Sequence, residues 1–504
     1  MSYKERVLKG VSWNFLLLLA AAPIGYFVRI LYSNEIPKLD VGLFYAVFDF
    51  CCMIAIFKNL GLNAALVRFI PKYLHEKRLD LVKSSIICAG VLQTTVSLIM
   101  TLLIILLSSF IATYYINNQG QFTGQLDLVI CVLIILSIGY WFQSIMDVVA
   151  NSIWGFQNQK YYGTINFVKI FMVLIISFIL IHVFDVRTVF TPICAYTLAP
   201  ILMIFIYTYI FIKKIFPEFF IEKFSFSKKL TKDLFSYGLP LMMGSAGALV
   251  LNYIDGICLT YFAGLNAVAD YRNVAMPTVS ILRYFATAVG AVLFPMSSEL
   301  WEMGHGGILG KSVEKICLYS FVAVFPITVL TAYFPEVIVN LFFNTQYLPA
   351  ADAIRILSLG TIFFTLNSIG FNVLNGIGKS LLSTKIIYFG AIFNLIFNIL
   401  LIPKFGIVGA SATTVLGYLL MWILQARYLG DFINYSNMLK KWLITTLLGV
   451  FSLIPLIFVT KIINNIILQL SVGMAVYLGV YALGIILFKI IEIEKLKEMF
   501  RIGI

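Results

Sequence analysis

Eight ionised side chains stand inside stretches of this sequence that are otherwise continuously apolar: Arg29, Asp49, Lys58, Asp147, Lys169, Asp255, Arg283 and Arg355. A charge at the centre of a membrane-spanning helix costs about 2.5–3.5 kcal/mol on insertion scales, so such residues mark binding sites, ion paths or internal pairs. Arg29, Lys58 and Arg283 are the candidates for gripping a phosphate or diphosphate group. Arg offers a planar fork that matches phosphate oxygens, and Lys a compact point charge. Arg29 lies toward the outer end of its span, where reaching back to the interface is an alternative role. Asp49, Asp147 and Asp255 could pair with these cations in the absence of substrate, or bind Na⁺ or H⁺ as a coupling ion. Lys169 either joins this set or reaches back to the cytoplasmic interface, and Arg355 falls at the outer interface. Tyr253, Tyr284 and Asn252 neighbour these charges and could contact sugars.

Catalysis and metal binding find less support. His75, His182 and His305 are far apart, and the seven Cys lie in or beside apolar runs without metal-ligand spacing. They read as small packing residues. The longest outer loops, near 113–126 and 334–349, hold neither an Asp pair nor a His. A membrane glycosyltransferase or ligase needs such groups as metal ligands or catalytic base. The expectation is a protein that is not an enzyme and has no cofactor.

The elements that must position the charges follow from composition. The chain is 61% hydrophobic and 12% charged over 504 residues, with a mean hydropathy of +0.97. Soluble domains average about 25% charged residues, so an aqueous fold is excluded. The net charge of +13 reads as Lys and Arg held in cytoplasmic loops rather than as a nucleic-acid surface, since no loop is long enough to form a domain. Fourteen apolar spans are predicted, at 10–32, 41–66, 84–112, 126–154, 161–184, 188–212, 234–263, 269–295, 313–333, 350–374, 381–402, 406–429, 440–460 and 467–490. With both termini inside, 26 of the 36 Lys and Arg fall in inner loops and tails and 5 outside. The outer five are Lys38, Arg187, Arg272, Lys404 and Lys461. That asymmetry supports the count and the orientation.

The segment 213–233 carries six Lys, with Phe216, Phe219, Phe220, Phe224 and Phe226 between charges. It reads as a cytoplasmic hinge with the character of a segment lying at a membrane surface. The expected organisation is an N-terminal six-helix bundle (1–212), this basic linker (213–233), a second six-helix bundle (234–430), and two further helices with a cytoplasmic tail (431–504). Arg68-Phe-Ile-Pro71 aligns loosely with Val292-Leu-Phe-Pro295, and Trp154-Gly155 with Asn375-Gly376, at offsets near 222. Six helices per half is an even number, so the repeats are parallel, related by an axis along the membrane normal. Asn394 and Asn398, four apart, share a helical face and are expected to hydrogen-bond a neighbouring helix.

The run Leu374-Asn-Gly-Ile-Gly-Lys379, then Asn394 and Asn398, then Leu401-Ile-Pro-Lys-Phe-Gly-Ile-Val-Gly-Ala-Ser-Ala-Thr413 resembles the C-terminal half of polysaccharide-transporter flippases. Those proteins belong to the multidrug/oligosaccharidyl-lipid/polysaccharide exporter superfamily. Leu60-Gly61 followed by Arg68-Phe-Ile-Pro71 resembles the end of the second helix there. The resemblance implies an all-α, MATE-like fold and flipping of a polyprenyl phosphate- or diphosphate-linked oligosaccharide to the outer leaflet. Related lipid-carrier flippases use cations in their first, second and eighth helices, which matches the helices carrying Arg29, Lys58 and Arg283. It also implies a prokaryotic plasma membrane, membrane lipids and glycan-assembly enzymes as partners, and no nucleic acid. The alternative in the same superfamily is a cation-coupled multidrug exporter, which calls for a net acidic cavity. The charge assignment is tested by reporter fusions. Alkaline phosphatase fused after Arg187 is expected to be active, and fused after Glu222 inactive; the reverse pattern would invert the topology.

Overall fold

The computed structural model describes the backbone of residues 3–490 except 59, 123 and 464, and the side chains of that stretch except 3–12, 14, 15, 291, 437, 466 and 467. The terminal charges placed inside above (Lys4, Arg6, Lys9, Lys495, Lys497 and Arg501) lie outside these described side chains. The regular structure is helical, as the apolar periodicity predicts. The principal helices are α1 (Tyr3–Glu35), α2 (Lys38–Lys58), α3 (Leu62–His75), α4 (Leu79–Leu106), α5 (Leu126–Gly155), α6 (Gln159–His182) and α7 (Phe190–Ile210). They continue as α8 (Lys228–Phe262), α9 (Met276–Glu302), α10 (Gly306–Tyr333), α11 (Ala350–Gly376) and α12 (Ser380–Leu429). The last two are α13 (Met438–Ile462) and α14 (Leu468–Leu487).

Among the described residues thirteen helices, all of these but α3, are long and apolar enough to cross a membrane. The sequence reading expects fourteen. The difference is α12, whose 50 residues run through two predicted spans. At 1.5 Å per residue it is about 75 Å long, more than twice a hydrocarbon core of about 30 Å. It breaks at Gly406 (φ 53°, ψ −128°), three residues after Pro403, and the two lengths on either side correspond to 381–402 and 406–429. The second predicted span, 41–66, is shortened. Leu60 (φ 46°) and Gly61 (φ 70°) take left-handed conformations between the end of α2 at Lys58 and the start of α3 at Leu62. The span predicted from 234 starts earlier, at Lys228, where the Ser227 side chain caps the helix by accepting from the Leu230 amide.

The chain packs as two compact units. One takes residues 1–277 with 342–350 and 391–410; the other takes 278–341, 351–390 and 411–504. In the first, α1 lies along α6, α5 along α4 and α7, and α2 along α8. Leu62, Leu66 and Ile70 of α3 are fully buried against Met146 and Ile153 of α5 and Met203 and Tyr207 of α7. Phe216 of the basic linker joins this core at 1% exposure and meets Phe156, Phe211 and Phe219 edge-on or tilted. The linker is therefore fastened at Phe216 rather than lying wholly at a surface, while Phe220, Ile221, Phe224 and Phe226 are exposed. In the second unit α13 packs on α10. Trp442 stacks on Phe321, and the Tyr481 hydroxyl donates to the Val322 carbonyl.

The turn between α2 and α3 sets how closely α8 can approach. A Cβ on Gly61 would lie 1.8 Å from the Gly238 carbonyl oxygen, and the φ of +70° is itself strained for any L side chain. Gly61→Ala is expected to destabilise the protein by about 1–3 kcal/mol, read as a lower thermal-unfolding midpoint in detergent. Gly307→Ala, where a Cβ meets nothing within 4 Å, is expected to change stability by less than about 0.5 kcal/mol.

Candidate functional site

Helix α2 runs buried along α8, so its polar residues need partners inside the protein. Lys58, near its end, is 6% exposed. Its ammonium lies 3.3 Å from Asp147 Oδ2 of α5 and 5.3 Å from the centroid of Tyr140. Four residues before Asp147, and so on the same face of α5, Gln143 Nε2 donates to Asp147 Oδ1 at 2.8 Å. Gln143 Oε1 in turn accepts from Lys169 Nζ of α6 at 2.7 Å. Three helices thereby contribute one chain, Lys58–Asp147–Gln143–Lys169.

These four residues line a cavity of about 290 Å³ within the first unit. Phe48, Tyr140, Tyr196 and Tyr253 supply aromatic walls. Lys58 and Lys169 face it against Asp147 alone, so the formal charge of the described lining is positive. Lys169 does not snorkel to a surface; it is held by Gln143.

A second cluster centres on residues 269–275, which form a π-helical stretch ahead of α9. Such wide turns are uncommon and recur at functional sites. Arg272 Nη2 donates to Asp49 Oδ1 at 2.6 Å, and its Nη1 to the Asn252 carbonyl at 3.2 Å. Asp49 is fully buried and its Oδ2 has no hydrogen-bond partner. That oxygen lies against Gly256, where a Cβ would be 1.8 Å away. Arg29 Nη1 donates to Tyr45 Oη at 2.8 Å and to the Arg272 carbonyl at 2.7 Å. Asn273 answers by donating to the Arg29 carbonyl at 3.1 Å. Arg29 thus turns inward. Lys38 pairs with Asp270 at 2.7 Å, donates to the Gln346 carbonyl and lies 5.2 Å from the Tyr347 ring centroid. Burial holds the Tyr347 phenol above its ordinary pKa.

Asp255 accepts from Tyr271 Oη and from Asn398 Nδ2, each at 2.8 Å. Asn398 Nδ2 also donates to Asn394 Oδ1 at 2.9 Å. The expected bond from this Asn pair to a neighbouring helix is present, and its partner is a candidate site residue.

Arg283 belongs to the second unit. Its guanidinium lies 4.7 Å from the Phe364 ring centroid and 5.4 Å from that of Tyr418, and its buried Nε has no hydrogen-bond partner. Arg355 pairs with Glu336 and Asp352 at 2.5 and 2.9 Å.

The structure therefore brings Lys58, Asp147 and Lys169 together, and places Asp49, Arg29 and Asp255 among the partners of residues 269–275. Arg272 is the residue that sequence reasoning misplaced: it counts there as an outer-loop charge, and the structure makes it the counter-ion of Asp49. Its neighbours Asp270 and Asn273 make the stretch look like a loop, when each polar side chain has an internal partner. Gln143 was also missed; its spacing of four from Asp147 was the available signal.

The profile of the family described as "Polysaccharide biosynthesis protein" matches residues 7–301, and the MatE profile matches 240–400. The chain is 57% identical over 500 residues to an uncharacterized membrane protein of Methanocaldococcus jannaschii, covering 99% of each. It is 24% identical over 283 residues, 55% of this chain and 58% of the relative, to "Probable low-salt glycan biosynthesis flippase Agl15" of Haloferax volcanii. The fold is similar to a solved structure of lipid II flippase MurJ in an inward closed conformation, with a TM-score of 0.74 at 15% identity, over 94% of this chain and 98% of that one.

Removing one partner of a buried ion pair leaves the other uncompensated, at about 3–5 kcal/mol. Arg272→Met is expected to destabilise by that amount, and Asp49→Leu combined with Arg272→Met to recover most of it. Thermal unfolding of the two single variants and the double variant measures the coupling; additive losses would show that the pair is not energetically linked.

Proposed function

The chain belongs to the polysaccharide biosynthesis protein family, within the multidrug/oligosaccharidyl-lipid/polysaccharide superfamily of membrane transporters, and from that we propose that it flips a lipid-linked oligosaccharide. The substrate hangs from a polyprenyl phosphate or diphosphate and moves from the cytoplasmic to the outer leaflet by alternating access. The observation that carries this reading is the cavity of the first unit, where two lysines outnumber one aspartate between tyrosine walls. An excess of buried positive charge stabilises an anionic headgroup and repels a cationic one.

In this reading Lys58 binds the headgroup, and Asp147 neutralises it while the cavity is empty, which lowers the cost of keeping the charge in the membrane. Arg283, within the second unit and flanked there by Phe364 and Tyr418 with an unused Nε donor, is a further candidate for binding phosphate. Arg29 is a third, in a conformation that releases it from Tyr45 and the Arg272 carbonyl. Headgroup binding that differs between inward- and outward-open states biases the equilibrium between them. Asp255, whose carboxylate accepts from the Asn398 carboxamide and the Tyr271 hydroxyl, is assigned to the coupling ion, Na⁺ or H⁺. The protein acts in a prokaryotic plasma membrane with both termini cytoplasmic. A glycosyltransferase step precedes it, and a polymerase or oligosaccharyltransferase step follows.

The MatE match over 240–400 favours a second reading, a cation-coupled multidrug exporter. The lysine excess in the cavity argues against it. Transbilayer movement of a fluorescent lipid-diphosphate oligosaccharide in proteoliposomes separates the two. The wild type is expected to accelerate movement over protein-free vesicles. Lys58→Met and Arg283→Ala are each expected to slow it by about ten-fold or more, the worth of one hydrogen bond to a charged group. No acceleration by the wild type, together with efflux of a cationic dye, would replace the flippase by the exporter.

A further inference from the structure

The basic segment 213–233 of the first unit gives no residue to the described cavity lining. One side of it is fastened to the protein. Phe216 is in the core, Lys83 Nζ of α4 donates to the Glu222 carbonyl at 2.8 Å and lies 5.3 Å from the Phe219 ring centroid, and the Ser225 amide donates to Ser84 Oγ at 3.2 Å. The other side is open. Phe220, Ile221, Phe224 and Phe226 are 72%, 83%, 48% and 65% exposed. Lys213, Lys214, Lys223, Lys228, Lys229 and Lys232 are all exposed as well. Glu218, Glu222 and Asp233 are the acidic residues of the segment, half the number of its lysines.

The retention of cations on one side of a membrane accounts for lysines in such a linker. It does not account for four large apolar side chains held outward between them. Two further observations say what covers this face. On α7, Phe205 and Tyr209 are 70% and 63% exposed and four residues apart, and the next position of that stripe is Lys213. The lipid-facing stripe of the span thus runs into the basic segment at its end. The first turn of α8 holds Lys228 and Lys229 and no acidic residue, although the positive end of a helix favours an anion. A phosphate supplies that charge. We propose that segment 213–233 is a docking surface for anionic lipid headgroups of the adjoining leaflet. Phe220, Ile221, Phe224 and Phe226 enter the boundary between headgroups and acyl chains, and the lysines hold the phosphates. An acidic protein would match the lysines, but the continuity with the exposed stripe of α7 favours lipid.

The test places a reporter on this face of the full-length protein. Phe224→Trp is reconstituted in nanodiscs of mixed phosphatidylglycerol and phosphatidylcholine, with one of the two lipids brominated at a time. Fluorescence quenching of the added Trp is read as the difference from the wild type. Brominated phosphatidylglycerol is expected to be enriched at the reporter about five-fold or more over brominated phosphatidylcholine, the worth of one Lys at an anionic surface. The preference is expected to fall at about 1 M salt, where charges are screened within about 3 Å. Replacing Lys223, Lys228, Lys229 and Lys232 together by Gln is expected to abolish it while quenching by both lipids persists. The unfolding midpoint of each variant shows that it is folded. Equal quenching by the two lipids in the presence of all six lysines would overturn the proposal, leaving apolar contact without headgroup selection. Quenching by neither lipid would also overturn it and leave the face to an acidic protein. The readout does not depend on transport, so failure of the flippase reading leaves it intact.

Discussion

A charge buried in a medium without water must find an opposite charge or a set of hydrogen bonds inside the protein. The first unit is arranged around that constraint. Asp49 on α2 has no access to solvent, and Arg272 is carried to within 2.6 Å of it by the π-helical stretch ahead of α9. The wide turn places Asp270, Arg272 and Asn273 against different elements: Lys38, Asp49, and the carbonyl of Arg29. A regular helix repeats every 3.6 residues and would distribute these groups on other faces. One short departure from regular geometry thus fixes how α1, α2 and α8 meet.

Close backbone approach makes the arrangement possible. Gly61 lies against Gly238 where α2 ends, and Gly256 leaves room for the Asp49 carboxylate beside α8. Side chains at these points would push α8 from α2 and disturb the packing that holds Asp49 against Arg272. The same packing leaves Lys58, Asp147, Gln143 and Lys169 at the wall of a cavity and not within a solid core. The tightly paired cluster and the imperfectly paired one stand in the same unit. In the second, the Lys169 ammonium donates to a neutral amide oxygen.

The family places this chain among transporters that serve glycan assembly. The site gives that placement a physical form. The described lining of the first unit's cavity sets two lysines against one aspartate between tyrosine walls. The two clusters share elements: α2 carries both Asp49 and Lys58, and Tyr253 lines the cavity while the Arg272 guanidinium lies 5.5 Å from its ring centroid.

The sequence by itself determined that the protein is helical, that it spans a membrane many times, and that its few intramembrane charges are the residues to examine. Those conclusions need only hydropathy and length, which are local properties. Lys58, Asp147 and Lys169 were legible for the same reason, since any charge within an apolar run is conspicuous. Tertiary structure alone decided who pairs with whom. Arg272 looked like a loop charge because polar neighbours surround it in sequence, yet in space they diverge to separate partners. The left-handed turn at Leu60 and Gly61, and the break within α12 at Gly406, moved helix boundaries that hydropathy cannot see, because backbone φ and ψ do not change the apolar character of a residue. Pairing partners lie up to 308 residues apart, as with Lys38 and the Gln346 carbonyl; no periodicity within a helix encodes them, and only packing brings them to one place.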